Sequence, residues 1–116
     1  MIKADVIIVG GGPAGSTCAW QLKKNGADCI ILEKMKFPRT KLCAGWITTK
    51  VLQNLEIENS EYPHSFLTFP GLHVSVHGFK FKAPTKQHSI RRYEFDHWLL
   101  ERSKTKVYTH EVKNIM

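Results

Sequence analysis

The feature that most constrains this chain is a glycine-rich turn that follows a short apolar run near its start. Residues 5–9, Asp-Val-Ile-Ile-Val, form a continuous β-branched run, the pattern of a strand buried on both faces of a parallel sheet. Residues 10–15, Gly-Gly-Gly-Pro-Ala-Gly, then turn the chain. The segment from there to about Asn25 is predicted to be a helix, because Pro13 would stand in its first turn and Gly26 just past its end.

A second apolar run completes a strand-helix-strand unit. Residues 28–32, Asp-Cys-Ile-Ile-Leu, predict another buried strand. Residues 5–32 therefore have the length of a unit with a right-handed crossover, which is how a doubly wound parallel sheet begins.

The remainder of the chain predicts one further helix, an inserted hairpin, and then a helix and a strand. A helix is expected over residues 47–55. Apolar and polar residues alternate with period two over residues 72–82, which predicts a β insertion at about 64–91. Residues 93–104 predict an amphipathic helix and residues 106–109 a third sheet strand. The expected fold class is α/β: a Rossmann-like βαβ unit with an inserted antiparallel β-hairpin and an incomplete sheet.

Charge and cysteine usage limit the function classes. The 17 Lys and Arg against 10 Asp and Glu give a net charge of +7, which suits an anionic cofactor, a nucleic acid or an acidic membrane surface. The basic residues are scattered and show no signature of a nucleic-acid-binding module, so nucleic acid is not expected as a partner. Three cysteines without a CxxC pair or a signal peptide favour the cytoplasm. No run approaches the roughly 20 apolar residues of a membrane span, which leaves only peripheral membrane contact open.

Three of the four glycines in the turn each have a separate steric role. Gly10 permits a tight turn, Gly12 lets the backbone approach a pyrophosphate, and Gly15 lets the helix lie close to the strands. The helix that follows presents unpaired N–H groups to phosphates. Glu33 ends the second strand, where its carboxylate can accept hydrogen bonds from ribose hydroxyls and would repel a 2′-phosphate. The pattern therefore fits FAD or NAD and not NADP.

The same residues resemble a known family. Residues 5–15, followed by Glu33-Lys34, are similar to the FAD-binding signature of the p-hydroxybenzoate hydroxylase-like flavoproteins. Residues 37–45, Phe-Pro-Arg-Thr-Lys-Leu-Cys-Ala-Gly, resemble the segment after the second strand in the geranylgeranyl reductase branch of that superfamily. Residues 91–99, Arg-Arg-Tyr-Glu-Phe-Asp-His-Trp-Leu, resemble the start of its next helix.

This resemblance implies FAD as the cofactor and a set of cofactor-binding residues. Ala14 would lie against the pyrophosphate, Glu33 would hold the ribose, and Cys43 with Ala44 would line the flavin side. The full set is Gly10, Gly12, Pro13, Ala14, Gly15, Glu33, Lys34, Cys43, Ala44 and Arg92. No catalytic acid, base or nucleophile is expected, because the flavin ring carries the chemistry.

No metal site is expected either. His73 and His77 lie four residues apart on one face of the predicted strand, which separates them by roughly 13 Å, too far to share one ion. Cys18 in the first helix and Cys29 in the second strand are expected to be core residues.

The expected domain organisation is that residues 1–116 form the N-terminal part of an FAD/NAD(P)-binding Rossmann-like domain, with the substrate domain absent. The reason is that the chain has no Gly-Asp pair, the second cofactor motif of the resembled family. The expected activity is that of an FAD-dependent oxidoreductase fragment, inactive alone, whose longer form acts on a small-molecule or isoprenoid lipid substrate. Three functions stay open: reduction of isoprenoid lipid double bonds, aromatic monooxygenation, and non-catalytic nucleotide binding.

Overall fold

The computed structural model describes residues 1–115 and resolves them into two compact units. One unit comprises residues 1–41 and the residues from Tyr93 onward, and the other comprises residues 42–92. In chain order the elements are β1 (Val6–Val9), α1 (Pro13–Lys24), β2 (Cys29–Glu33), β3 (Trp46–Thr48), α2 (Thr49–Asn54), β4 (Phe66–Val76), β5 (Phe79–Ile90), α3 (Arg92–Arg102) and β6 (Lys106–Thr109). None of these helices combines the length and the hydrophobicity needed to cross a membrane.

The first unit is built on a parallel sheet with the strand order β1-β2-β6. Ile7 pairs with Ile30, and Ile31 pairs with Val107 on the other side of β2. The predicted strand-helix-strand unit and the predicted third strand are therefore confirmed, as is the α/β class. The core of this unit consists of buried side chains from β1, β2 and two helices: Ile8, Ala19, Cys29, Ile31 and Leu100.

Two expectations about burial in this unit are wrong. β1 was expected to be buried on both faces, but the side chains of Ile7 and Val9 are 60% and 54% exposed, while Ile8 packs in the core. In residues 1–115 the helices cover the face of β1 that carries Ile8, so the opposite face stays open.

Cys18 was expected in the core and is exposed, because it lies outside the buried stripe of α1 that carries Ala19. Cys29 is buried, as expected.

The second unit contains the predicted hairpin. β4 and β5 pair antiparallel, and β3 pairs with the other edge of β5. The turn residues His77 and Gly78 both have positive φ, 46° and 85°, which is the backbone of a two-residue hairpin turn that matches the twist of the strands. The register shifts between Phe69 and Gly71, where Pro70 has no N–H to donate to the ladder.

The structure corrects two local predictions in this unit. The helix expected from Ile47 begins at Thr49, because residues 46–48 are extended and Ile47 pairs with His88. Thr48 marks the boundary, since its side chain accepts a hydrogen bond from the backbone N–H of Val51 and so caps the helix. His77 does not share a strand face with His73, because His77 is in the turn.

His88 is a buried polar side chain at the base of the hairpin. Its Nδ1 lies 3.1 Å from Thr68 Oγ1 and its Nε2 lies 3.2 Å from Thr49 Oγ1. Its ring stacks on Phe66 with 4.9 Å between centroids. Burial first, and the nearby positive charge of Lys86 second, lower the pKa of His88 below its usual value. Through its two ring nitrogens the imidazole joins β5 to β4 and to α2.

This pKa shift predicts a dependence of stability on pH. Because the folded protein binds the proton of His88 less readily than the unfolded chain, stability should fall as the pH drops below about 6.5, with a slope of at most about 1.4 kcal/mol per pH unit. Above that pH the group should have no effect. His88→Gln keeps hydrogen-bonding capacity without a titrating group, so thermal unfolding between pH 5 and 8 should show a flatter profile. The exposed His73→Gln variant is the control. An unchanged profile in His88→Gln would contradict the assignment.

Candidate nucleotide-binding site

The glycine turn is held in place from both sides. Gly10 has a φ of 97°, a conformation that favours glycine, and its N–H donates to the carbonyl of Leu32 at 2.8 Å. The hydroxyl of Ser16 donates to the carbonyl of Gly11 at 2.8 Å. A Cβ on Gly15 would collide with the carbonyl oxygen of Gly10. The close approach of α1 to the turn thus depends on the absence of a side chain at Gly15.

The N-terminus of α1 is open to an anion. Gly12 is the N-cap in an extended conformation, and Pro13 takes the first helical position. Glycine provides no side chain to cap the helix, and the first turn contains no acidic residue. The N–H groups of Ala14 and Gly15 belong to the first turn, which has no partners within the helix and lies at the positive end of its dipole.

Glu33 accepts one hydrogen bond from the glycine turn and one from the chain after β2, and the sequence revealed neither. The side chain is only 6% exposed. Its Oε2 accepts from the N–H of Gly11 at 2.6 Å, and its Oε1 accepts from the N–H of Met35 at 2.8 Å. Each carboxylate oxygen can accept a second bond, so Glu33 can hold the turn and still accept from a ligand hydroxyl.

A hollow of about 270 Å³ opens at the carboxyl ends of the parallel strands. This is where open α/β sheets bind their ligands. The backbone N–H of His110, just after β6, donates to the carbonyl of Glu33 at 2.9 Å and so fixes one wall. The lining residues are Val9, Gly10, Leu32, Glu33, Lys34, His110, Glu111 and Val112.

Two further residues at this site, Arg39 and Asp96, were not among those predicted. Arg39 Nη1 lies 3.1 Å from Asp96 Oδ2, and the two side chains are 10% and 1% exposed. The guanidinium also lies over the ring of Phe37, 4.5 Å from its centroid. A Cβ placed on Gly12 would be 3.4 Å from Arg39 Nη2. The signal in the sequence was that both residues lie in segments that resemble the reductase branch, residues 37–45 and 91–99, but no role and no contact was predicted for either.

The predicted cofactor-binding residues fall in both units. The first unit brings together those of the turn with Glu33 and the exposed Lys34; the turn members are Gly10, Gly12, Pro13, Ala14 and Gly15. The second unit contains Cys43, Ala44 and Arg92. Cys43 and Ala44 are exposed, and the N–H of Gly45 donates to Cys43 Sγ at 3.4 Å. Arg92 is half-buried at the first position of α3.

Comparison with known proteins adds a family and several relatives. The family described as FAD binding domain matches residues 5–73. Digeranylgeranylglycerophospholipid reductase 1 of Methanopyrus kandleri is 33% identical over 109 residues, which is 88% of this chain and 28% of that reductase. A menaquinone reductase of Mycolicibacterium smegmatis is 30% identical over 83 residues, 71% of this chain and 20% of that protein. The chain spans about a quarter of the length of three curated relatives that it matches, the Methanopyrus kandleri reductase among them.

Solved structures share the fold. The flavin-dependent brominase Bmp2 superposes with a TM-score of 0.79 at 26% identity, over 97% of this chain and 31% of the brominase. A flavoprotein/dehydrogenase from Cytophaga hutchinsonii superposes with a TM-score of 0.75 at 23% identity, over 97% of this chain and 32% of that protein, which supports the fold alone.

Gly12 and Gly15 of the turn predict different mutational outcomes. Gly15→Ala should lower the free energy of unfolding by about 1–3 kcal/mol, because its Cβ meets backbone that cannot move aside. Gly12→Ala should change stability by less than about 1 kcal/mol, because its Cβ would lie at an ordinary contact distance of 3.4 Å from Arg39 Nη2, yet it should weaken ADP binding by blocking the approach of phosphate. Thermal unfolding and ADP titration of both variants test this pair. Equal stability losses would contradict it.

Proposed function

The chain belongs to the FAD binding domain family of flavin-dependent oxidoreductases, with FAD as the cofactor, and on that premise we propose that it is the FAD-binding portion of a reductase that acts on double bonds of isoprenoid lipids. The observation that carries the proposal is the 33% identity to digeranylgeranylglycerophospholipid reductase 1, which extends over 88% of this chain. The structural similarity to a flavin-dependent brominase favours halogenation as a second candidate, at a lower identity of 26%.

The residues of the first unit fit the ADP half of FAD. The N–H groups of Ala14 and Gly15 at the start of α1 would receive the diphosphate, because that helix end has no side-chain cap. Glu33 would accept hydrogen bonds from the adenosine ribose while keeping those from Gly11 and Met35. The hollow beyond Glu33, with Lys34 on its wall, would accommodate the rest of the adenosine.

We assign contacts with the flavin half to three residues that the family resemblance singled out, Cys43, Ala44 and Arg92. Cys43 and Ala44 are exposed, so they are available to contact the flavin ring, and Arg92 is the cation we assign to the cofactor at the start of α3. Bound FAD supplies the hydride chemistry, whereas the residues of this chain bind and orient it. We assign no substrate contact to the residues of this chain, which matches 28% of the length of the Methanopyrus kandleri reductase.

A chimera tests the proposed reaction. In it, this chain replaces the matching N-terminal segment of the Methanopyrus kandleri reductase. Flavin absorbance first establishes that the chimera is loaded with FAD. We expect it to reduce geranylgeranyl chains, detected by mass spectrometry as a gain of two hydrogens per double bond. The control chimera carries the matching segment of the brominase Bmp2. A flavin-loaded chimera that leaves the lipid unreduced, while the unmodified reductase reduces it, would contradict the proposal.

The ribose role of Glu33 makes a separate prediction. In Glu33→Gln the amide group has one acceptor oxygen, so it cannot satisfy the N–H groups of Gly11 and Met35 and a ribose hydroxyl together. Loss of charge-assisted bonds of this kind should weaken ADP binding by about ten- to a hundredfold. Glu101→Gln is the matched control, because Glu101 is an exposed glutamate of α3 that does not line the hollow. Unchanged ADP affinity in Glu33→Gln, by calorimetric titration, would remove Glu33 from the ribose site.

A further inference from the structure

Arg39 is placed where a cation would face the phosphates of a bound nucleotide. Its guanidinium is a planar fork with donors on several sides. One arm, Nη1, lies 3.1 Å from Asp96 Oδ2, and the other, Nη2, lies 3.4 Å from the position that a Cβ on Gly12 would occupy. Gly12 is the N-cap of α1, so the second arm lies beside the helix end that attracts anions.

The guanidinium is held rigidly in this position. Asp96 is 1% exposed, and a carboxylate so deeply buried is stable only when a cation and hydrogen bonds compensate it. The ring of Phe37 packs against the guanidinium from another direction, 4.5 Å from its centroid. A cation that is fixed before the ligand arrives loses little conformational freedom on binding, which strengthens its contribution to affinity.

We propose that Arg39 binds the diphosphate of the nucleotide and that Asp96, a residue of α3, positions it for that role. This inference rests on the proposed function, because it takes FAD as the ligand. Asp96 would not touch the cofactor itself, since its Oδ2 faces the arm of Arg39 that is turned away from Gly12. The pair thus connects a residue 57 positions further along the chain to the phosphate site.

The experiment compares ADP with adenosine as ligands of the chain. Arg39→Gln should weaken ADP binding by about ten- to a hundredfold and leave adenosine binding unchanged, because only ADP carries the diphosphate. Asp96→Asn should weaken ADP binding in the unmutated background and have no further effect when Arg39 is already Gln, since it acts through Arg39. Lys36→Gln removes the same charge from the same loop and should change ADP affinity by less than about twofold, because Lys36 is exposed.

Because Arg39→Gln removes the guanidinium that pairs with the buried carboxylate of Asp96, stability must be measured alongside affinity. Circular dichroism at the titration temperature identifies variants that remain folded. Arg39→Lys keeps a positive charge beside Asp96 but lacks the fork, so it should fold and still bind ADP more weakly than the unmutated chain.

The outcomes separate the two proposals. If the unmutated chain bound neither ADP nor FAD, the proposed function would fall, and this inference with it. If the unmutated chain bound ADP and the folded Arg39 variants bound it equally well, the inference alone would be overturned. Equal losses for ADP and adenosine in the Asp96 variant would show a purely structural role and would also overturn it.

Discussion

The carboxylate of Glu33 is the interaction on which the site depends. It is buried, and both of its oxygens accept backbone N–H groups, one from the glycine turn before α1 and one from Met35 just after β2. A buried carboxylate without donors would be strongly destabilising, so these bonds fix the turn relative to the end of β2. The shape of the turn therefore does not rely on glycine flexibility alone, and the nucleotide meets a turn that is already in place.

Opposite charges are distributed along the ADP half of the site. Glu33 places a negative charge at the carboxyl end of β2, where ribose hydroxyls can donate to it. The positive end of α1 and the guanidinium of Arg39 lie at Gly12, where phosphate is expected. A ligand with a diphosphate at one end and a free ribose at the other matches this arrangement, and a 2′-phosphate next to Glu33 would not. Recognition of FAD is thus consistent with the electrostatics of this one unit.

The sequence predicted the elements whose signals are local. β1, α1 and β2 followed from β-branched runs, Pro13 and Gly26, and the hairpin followed from alternation with period two. The start of α2 was misplaced because Ile47 pairs with His88, a partner far along the chain. The exposure of Ile7 could not be foreseen either, since a continuous apolar run does not say which face the helices will cover.

Within the site, sequence reasoning identified residue types but not their mutual contacts. The three glycines and Glu33 were recognised by spacing, yet the bond from Gly11 to Glu33 joins residues 22 positions apart. The pair of Arg39 and Asp96 is separated by 57 positions, and nothing in either local pattern indicates the other. The first interaction depends on how the turn lies against the end of β2. The second depends on how the loop after β2 lies against α3. Both are properties of the tertiary structure.

The two ends of the segment formed by residues 42–92 are paired with each other, and this pairing lowers the entropy cost of changing the length of the segment. The N–H of Ile90 donates to the carbonyl of Gly45 at 2.9 Å, and Trp46 pairs with Ser89, so the two ends of the segment are tied to each other. Once this base has formed, the segment acts as a short connection between β2 and α3, however many residues lie beyond it. The entropy of closing a loop grows only slowly with length, by about 0.6 kcal/mol per doubling, and tied ends reduce even that. The hairpin can therefore lengthen, shorten or change its surface during evolution while the nucleotide half keeps its geometry.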